Sequence, residues 1–181
     1  VEDLIRAYDC SLSRIRKEYI GNFSYSDTQK EEMTDWYGNL VRMMNEEGCR
    51  ERGHLQINKI IIQELTELHN QLLASSKFPF YSAEYYRVLP FIVELRGKTK
   101  QVADDMARTN NERLKDVAAH LKESEIETCF DFLYGVMMLR LQKKEISQET
   151  NSAMKEITTL VGMLADYYQK DKTEGLQFED N

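Results

Sequence analysis

The chain has 181 residues, with 24 Lys plus Arg against 31 Asp plus Glu, a net charge of -7, and hydrophobic residues at 41%. A body of this size buries roughly 70% of its unfolded surface and needs no disulfide or structural metal to fold. The acidic balance disfavours broad binding to phosphate backbones, and two prolines with 30% charged residues favour helices over a turn-rich β fold.

Three dispersed cysteines, Cys10, Cys49 and Cys129, lack any paired spacing, so a reducing cytoplasm is the expected home. No apolar run approaches the ~18 residues of a membrane span. The densest, Cys129 to Leu141, is interrupted by Asp131, Gly135 and Arg140. No signal-peptide pattern is present. Helical periodicity begins at Val1 with no capping residue before it, so the native chain is expected to extend upstream.

Apolar residues at Val1, Leu4, Ile5, Tyr8, Leu12, Ile15 and Tyr19 recur at steps of three and four, which predicts a first helix of about five turns ending at Gly21. Ser26 with Gln29 and Thr28 with Glu31 offer overlapping capping boxes for a second helix. Its predicted inner face is Met33, Trp36, Tyr37, Leu40, Val41 and Met44, with Gly48 as its left-handed stop. Leu55 to Leu73 carries a wide stripe that implies a third helix buried against two neighbours.

A fourth helix, about 82–122, is expected to start after Ser82 and to be kinked or interrupted near Pro90, with 98–122 either continuing it or forming a separate helix. Ser124 with Glu127 opens a fifth, about 125–144, apolar nearly all round and therefore expected to be central. Ser147 caps a sixth, and residues 171–181 read as a frayed charged tail. The expectation is an all-α, single-domain bundle of about six helices over 1–170.

Chemistry is thin. Di-iron bundles need two Glu-x-x-His units, and only Glu51 to His54 has that spacing. Asp116 and His120 share a face and could hold half a metal site, although a surface pair is the simpler account. Glu-x-x-Glu at Glu64 to Glu67 and Glu-x-x-Asp at Glu32 to Asp35 echo helical nucleotide pyrophosphatases, in reversed order. Phosphate loops and nucleophile elbows are absent from the sequence, and Cys129 reads as core. No catalytic residue, cofactor or metal ligand is expected.

Two features rise above this background. Phe78, Phe80, Tyr81, Tyr85, Tyr86 and Phe91 cluster before Arg96, Lys98 and Lys100. Aromatics with arginine anchor interfaces, so Phe78, Phe80, Tyr81, Tyr85, Tyr86 and Arg96 form a candidate interaction surface, while clamping a loop to the bundle is the plain alternative. Glu94, Asp131 and Arg140 interrupt apolar runs, which predicts a buried polar network paired between helices or lining a ligand pocket.

The blocks Glu2 to Asp9 (EDLIRAYD), Glu84 to Thr99 (EYYRVLPFIVELRGKT) and Glu127 to Ser147 (ETCFDFLYGVMMLRLQKKEIS) are similar to an uncharacterised bacterial family catalogued as a domain of unknown function. That resemblance spans essentially the whole chain and implies an all-helical cytoplasmic protein. It implies further helix upstream of the first block, and it supplies no activity or cofactor.

The functional expectation is a non-enzymatic helical domain that binds an unknown protein partner and itself, as a homodimer, with no membrane contact. One alternative is a metal-assisted enzyme or sensor of a phosphorylated small molecule, using the helix carboxylates. The other is a weak nucleic-acid binder through segment 78–100, which the net charge disfavours.

Overall fold

The computed structural model describes residues 1–109 and 114–179, apart from the side chain of Asp116. Every regular element among them is helical, in agreement with the all-α expectation. The chain divides into two compact units, Val1–Ile61 and Ile62–Asn181.

In the first unit, the expected five-turn helix is broken. Helix α1 spans Glu2–Ala7, and α2 spans Leu12–Arg14 before loosening into a π turn at Ile15–Tyr19 and a 3-10 turn at Ile20–Asn22. Between α1 and α2, Asp9 and Cys10 adopt left-handed φ values of 55° and 53°. The reason is burial. Ile5, Cys10, Ile15 and Ile20, spaced five apart, all enter one core with Tyr37, Val41, Met44 and Leu55. An uninterrupted helix would rotate successive members of that set by about 140°, spreading them round its circumference. The break is held by Cys10 N–H donating to Ile5 O (2.9 Å) and by Arg50 Nη2 donating to Asp9 O (3.1 Å).

Helix α3, Asp27–Glu46, uses Ser26 as its cap. Ser26 Oγ accepts from Gln29 N–H at 3.3 Å while Gln29 Oε1 accepts from Ser26 N–H at 3.1 Å. Gly48 follows with φ 69°, the left-handed stop that its sequence position predicts. Trp36, expected on the inner face, is instead 51% exposed, and Thr34 turns inward with its hydroxyl donating to Lys30 O (2.7 Å). Helix α4, Gln56–Ala74, is capped from elsewhere in the chain. Leu55 N–H donates to Glu2 Oε1 (2.8 Å) and Gln56 N–H to Glu47 Oε2 (2.6 Å), so two carboxylates sit where the helix dipole favours negative charge. Burial works to raise the Glu2 pKa, but bonds from Leu55, His54 and Asn58 outweigh it and hold the carboxyl below the usual range. His54 is thereby committed to Glu2, at 2.6 Å.

The second unit contains the remaining turns of α4, then α5 (Pro79–Arg108), α6 (Leu114–His120), α7 (Glu125–Leu141) and α8 (Gln148–Glu174). Pro79 occupies the first turn of α5, where a missing N–H costs nothing, so the helix starts ahead of Ser82. It then runs through Pro90 without interruption because that ring lies on the exposed side. It stops at Arg108, and α6 is a separate element. Its pairing with α8 is the most extensive in the unit, around Tyr81, Val88, Ile92, Ile157, Leu160 and Leu164.

Helix α7 is not the central one. Its Ser124–Glu127 capping box forms as expected, yet only Ile126, Cys129 and Val136 are buried, and Tyr134, Met137 and Leu141 are exposed. An apolar circumference records a shortage of charge on a helix, and here that shortage exceeds what α5 and α8 cover. The wide stripe of α4 behaves alike, since Leu65, Leu68 and Leu72 are buried while Ile57, Ile60 and Ile61 are exposed. Nor do residues 171–179 fray. Helix α8 continues to Glu174, and Leu176 and Phe178 return to the core, with Ser75 Oγ donating to Phe178 O (2.7 Å).

Candidate interaction surface

The aromatic cluster divides between the two sides of α5. Tyr81 is fully buried, Phe78 packs edge-on to Tyr167 at 5.2 Å, and Tyr85 meets His69 at 5.2 Å. Phe80 and Tyr86 point outward, 81% and 67% exposed. Arg96 is half-buried, donating from Nη2 to Glu123 O (2.6 Å) and from Nε to Thr128 Oγ1 (3.3 Å). The surface read from sequence is therefore two structures, an inner anchor and an outer face.

The inner anchor fixes the rotation of α5. Tyr81 and His69 of α4 are hydrogen-bonded, hydroxyl to Nδ1, at 2.7 Å. With Tyr81 donating, the ring proton falls on Nε2, which faces Glu125 Oε2 of α7 at 3.6 Å. Burial pushes the His69 pKa down, against an opposing pull from Glu125, so the ring is neutral at pH 7. Burial, reinforced by Glu125, pushes the Tyr85 hydroxyl up to about 12, and Cys129 is likewise raised to about 12, which makes it an inert core thiol. One turn along, buried Glu84 contacts Arg87 (3.2 Å) and faces Glu156 of α8. Burial and then Glu156 raise its pKa, so Glu84 keeps its proton to higher pH than a free carboxyl.

Sequence reasoning missed this anchor. Its signal was a histidine inside the stripe of Leu65, Leu68 and Leu72, with a tyrosine twelve residues on.

Outward, α5 presents Ala83, Tyr86, Pro90, Val93 and Gly97, exposed at steps of three and four, and Val93 is 61% exposed. Arg87, Glu94 and Lys98 flank one edge, and Glu94 pairs with Lys98 at 2.6 Å. The expectation that Glu94, Asp131 and Arg140 form a buried network is thus overturned. Glu94 and Asp131 are exposed, and Arg140 is an exposed side chain whose Nη2 lies 3.1 Å from Met154 Sδ. All three fit because α5 and α7 each leave a broad arc uncovered.

Asp131 instead joins His120 (3.0 Å), whose Nδ1 also meets Glu123 (2.6 Å). Among the described residues these three are the group whose ligand atoms, all within 4.8 Å of one another, could hold a metal ion. Burial first and then Asp131 push Glu123 up to about 7. The contacts of His120 Nδ1 with the two carboxylates account for the cluster without an ion. The expected pairing of Asp116 with His120 lies outside the described residues.

Of the carboxylates read as a metal cluster, Glu64 accepts from the Tyr168 hydroxyl and from Lys172 (3.1 Å), and Glu67 accepts from Gln63 (2.9 Å). Glu32 and Asp35 stand on α3, in the other unit. A surface groove of about 820 Å³ lies between α5, α7 and the start of α8, and its charged lining groups are Glu94, Lys98 and Glu149. Among the described residues, no helix is long and apolar enough to cross a membrane.

The family model described as domain of unknown function (DUF4924) matches the chain over residues 1–111 and 106–175. The chain belongs to the DUF4924 family. No curated protein and no solved structure matches it. The α5 face and the anchor behind it therefore stand as features of a DUF4924 domain read directly from this structure.

Proposed function

We propose that this DUF4924 domain is a non-enzymatic, cytoplasmic protein-interaction domain that associates with itself. The observation that carries the reading is the outer face of α5, where Tyr86 and Val93 are exposed in a 3-4-3-4 apolar row that no other described residue covers. Such a row is the pattern a helix uses to receive another helix. Of the two carboxylates that line the groove beside it, Glu94 and Glu149, the first is paired with Lys98 at 2.6 Å.

Sedimentation equilibrium of the full chain tests this. Self-association is expected at micromolar concentration, and a strictly monomeric protein would refute the reading. Melting curves with nucleotides plus magnesium or manganese are expected to stay unchanged. A saturable rise would favour the metal-assisted alternative, since ligands of the native state raise its stability.

A further inference from the structure

The outer row of α5 has an internal symmetry. Ala83 and Gly97 lie seven residues either side of Pro90, Tyr86 lies four before it and Val93 three after, and Arg87 lies three before and Glu94 four after. At 100° per residue, Pro90, Ala83 and Gly97 fall on the centre line of the exposed face, Tyr86 and Val93 on one edge, and Arg87 and Glu94 on the other.

We infer that two copies of this chain pair antiparallel along α5, about a two-fold axis beside Pro90. The inference rests on the reading of self-association and supplies its partner and register. A two-fold axis perpendicular to the plane of two antiparallel helices reverses their direction and keeps each edge on its own side. Ala83 then meets Gly97 of the other copy, Tyr86 meets Val93, and Arg87 meets Glu94, each to within about 1.5 Å along the axis. Small faces small, a large ring faces a branched aliphatic, and a cation faces an anion, twice over. Parallel pairing, about an axis along the helices, would swap the edges and set Arg87 and Glu94 against the other copy's Tyr86 and Val93, so that neither charge meets its opposite.

Two further observations fit a second copy as the occupant. A Cβ on Gly97 would meet nothing within 4 Å, so no packing among the described residues requires glycine in this helix interior, where it is unfavourable. Close approach by the Ala83 of another α5 supplies the reason. Arg87 engages Glu84 through Nη1 alone and its side chain is 69% exposed, so its remaining donors can reach a carboxylate across the axis. The anchor residues Tyr81, Glu84 and Tyr85 turn the opposite face inward, which holds this one outward.

Cysteine cross-linking and charge reversal test the register in the full chain. The native cysteines are buried, so introduced thiols report alone. The double variant A83C/G97C is expected to give a covalent dimer on mild oxidation. Its own two thiols are about 21 Å apart along the helix and cannot join within one chain. A83C alone and G97C alone are expected to stay uncross-linked. E94K is expected to weaken the dimer about tenfold by sedimentation equilibrium, as is R87E, and R87E/E94K to restore it within about threefold. R87E also strips Glu84 of its arginine, so E94K and the cross-links decide the matter if R87E melts early. A monomeric wild type would overturn self-association and this inference together. A dimer that lacks the A83C/G97C link, cross-links through A83C alone, or ignores E94K would overturn the register and leave self-association standing.

Discussion

Removing one oxygen atom from the core tests the role given to the Tyr81–His69 anchor. Tyr81 is fully buried, His69 is 2% exposed, and their bond measures 2.7 Å. Tyr81→Phe keeps the ring that packs against Tyr167 and deletes only the hydroxyl, leaving His69 Nδ1 without a partner in a dry site. An orphaned buried polar atom costs about 1–3 kcal/mol, more than the bond itself contributes. His69→Phe removes the other side, and His69→Phe with Tyr81→Phe replaces both partners by apolar rings, which is expected to fall well short of the summed single costs. Urea unfolding followed by far-UV circular dichroism measures this. The single tryptophan, Trp36, belongs to the first unit, so its emission reports elsewhere. The anchor also has a pH signature. Because the native state lowers the His69 pKa, the unfolded chain takes a proton that the folded chain refuses, and stability falls as pH drops below about 6.5. His69→Phe is expected to remove that part of the acid limb. A Tyr81→Phe cost under about 0.5 kcal/mol, or strict additivity in the double variant, would refute the argument.

Gly97→Ala is expected to raise the stability of the isolated chain by about 1 kcal/mol, since the added methyl meets open space in a helix interior; dilute-solution melting checks it. Ser124→Ala removes the hydroxyl that accepts from Glu127 N–H at 3.1 Å, and a loss of about 1 kcal/mol is expected by urea titration. Glu2→Gln is expected to destabilise the first unit at pH 7, read by Trp36 emission. The gap should close as pH falls through the lowered Glu2 pKa, because there the wild-type carboxyl is protonated too. Glu123 has the opposite sign. Its raised pKa contributes stability below about 4.5 that is lost as pH rises through about 7, so Glu123→Gln is expected to gain on the wild type at pH 8 and not at pH 4.

Helix ends were the most legible part of the fold, because capping is local chemistry. Ser26 with Gln29, Ser124 with Glu127, and Ser147 each cap the helix that the spacing predicts, the last with its Oγ accepting from Thr150 N–H at 3.1 Å. The candidate surface was half legible. Its six residues sit on or beside α5, but a run of aromatics does not say which members face the core. Tyr81 turns inward because His69 offers its hydroxyl a partner there, and Tyr86, five residues later, turns outward. The charges misled for a related reason. Glu94 and Asp131 interrupt apolar runs without being buried, since a helix apolar on both sides can still have one side in water.

The sequence alone determined that this chain is helical, where most of its helices begin, and that its cysteines form no framework. Those are properties of neighbours three and four residues apart. Only the tertiary structure decided the break at Asp9 and Cys10, the outlying position of α7, and the division of α5 into an anchored and an open face. Each depends on which distant side chains compete for the same core volume, and that competition leaves no mark on local spacing.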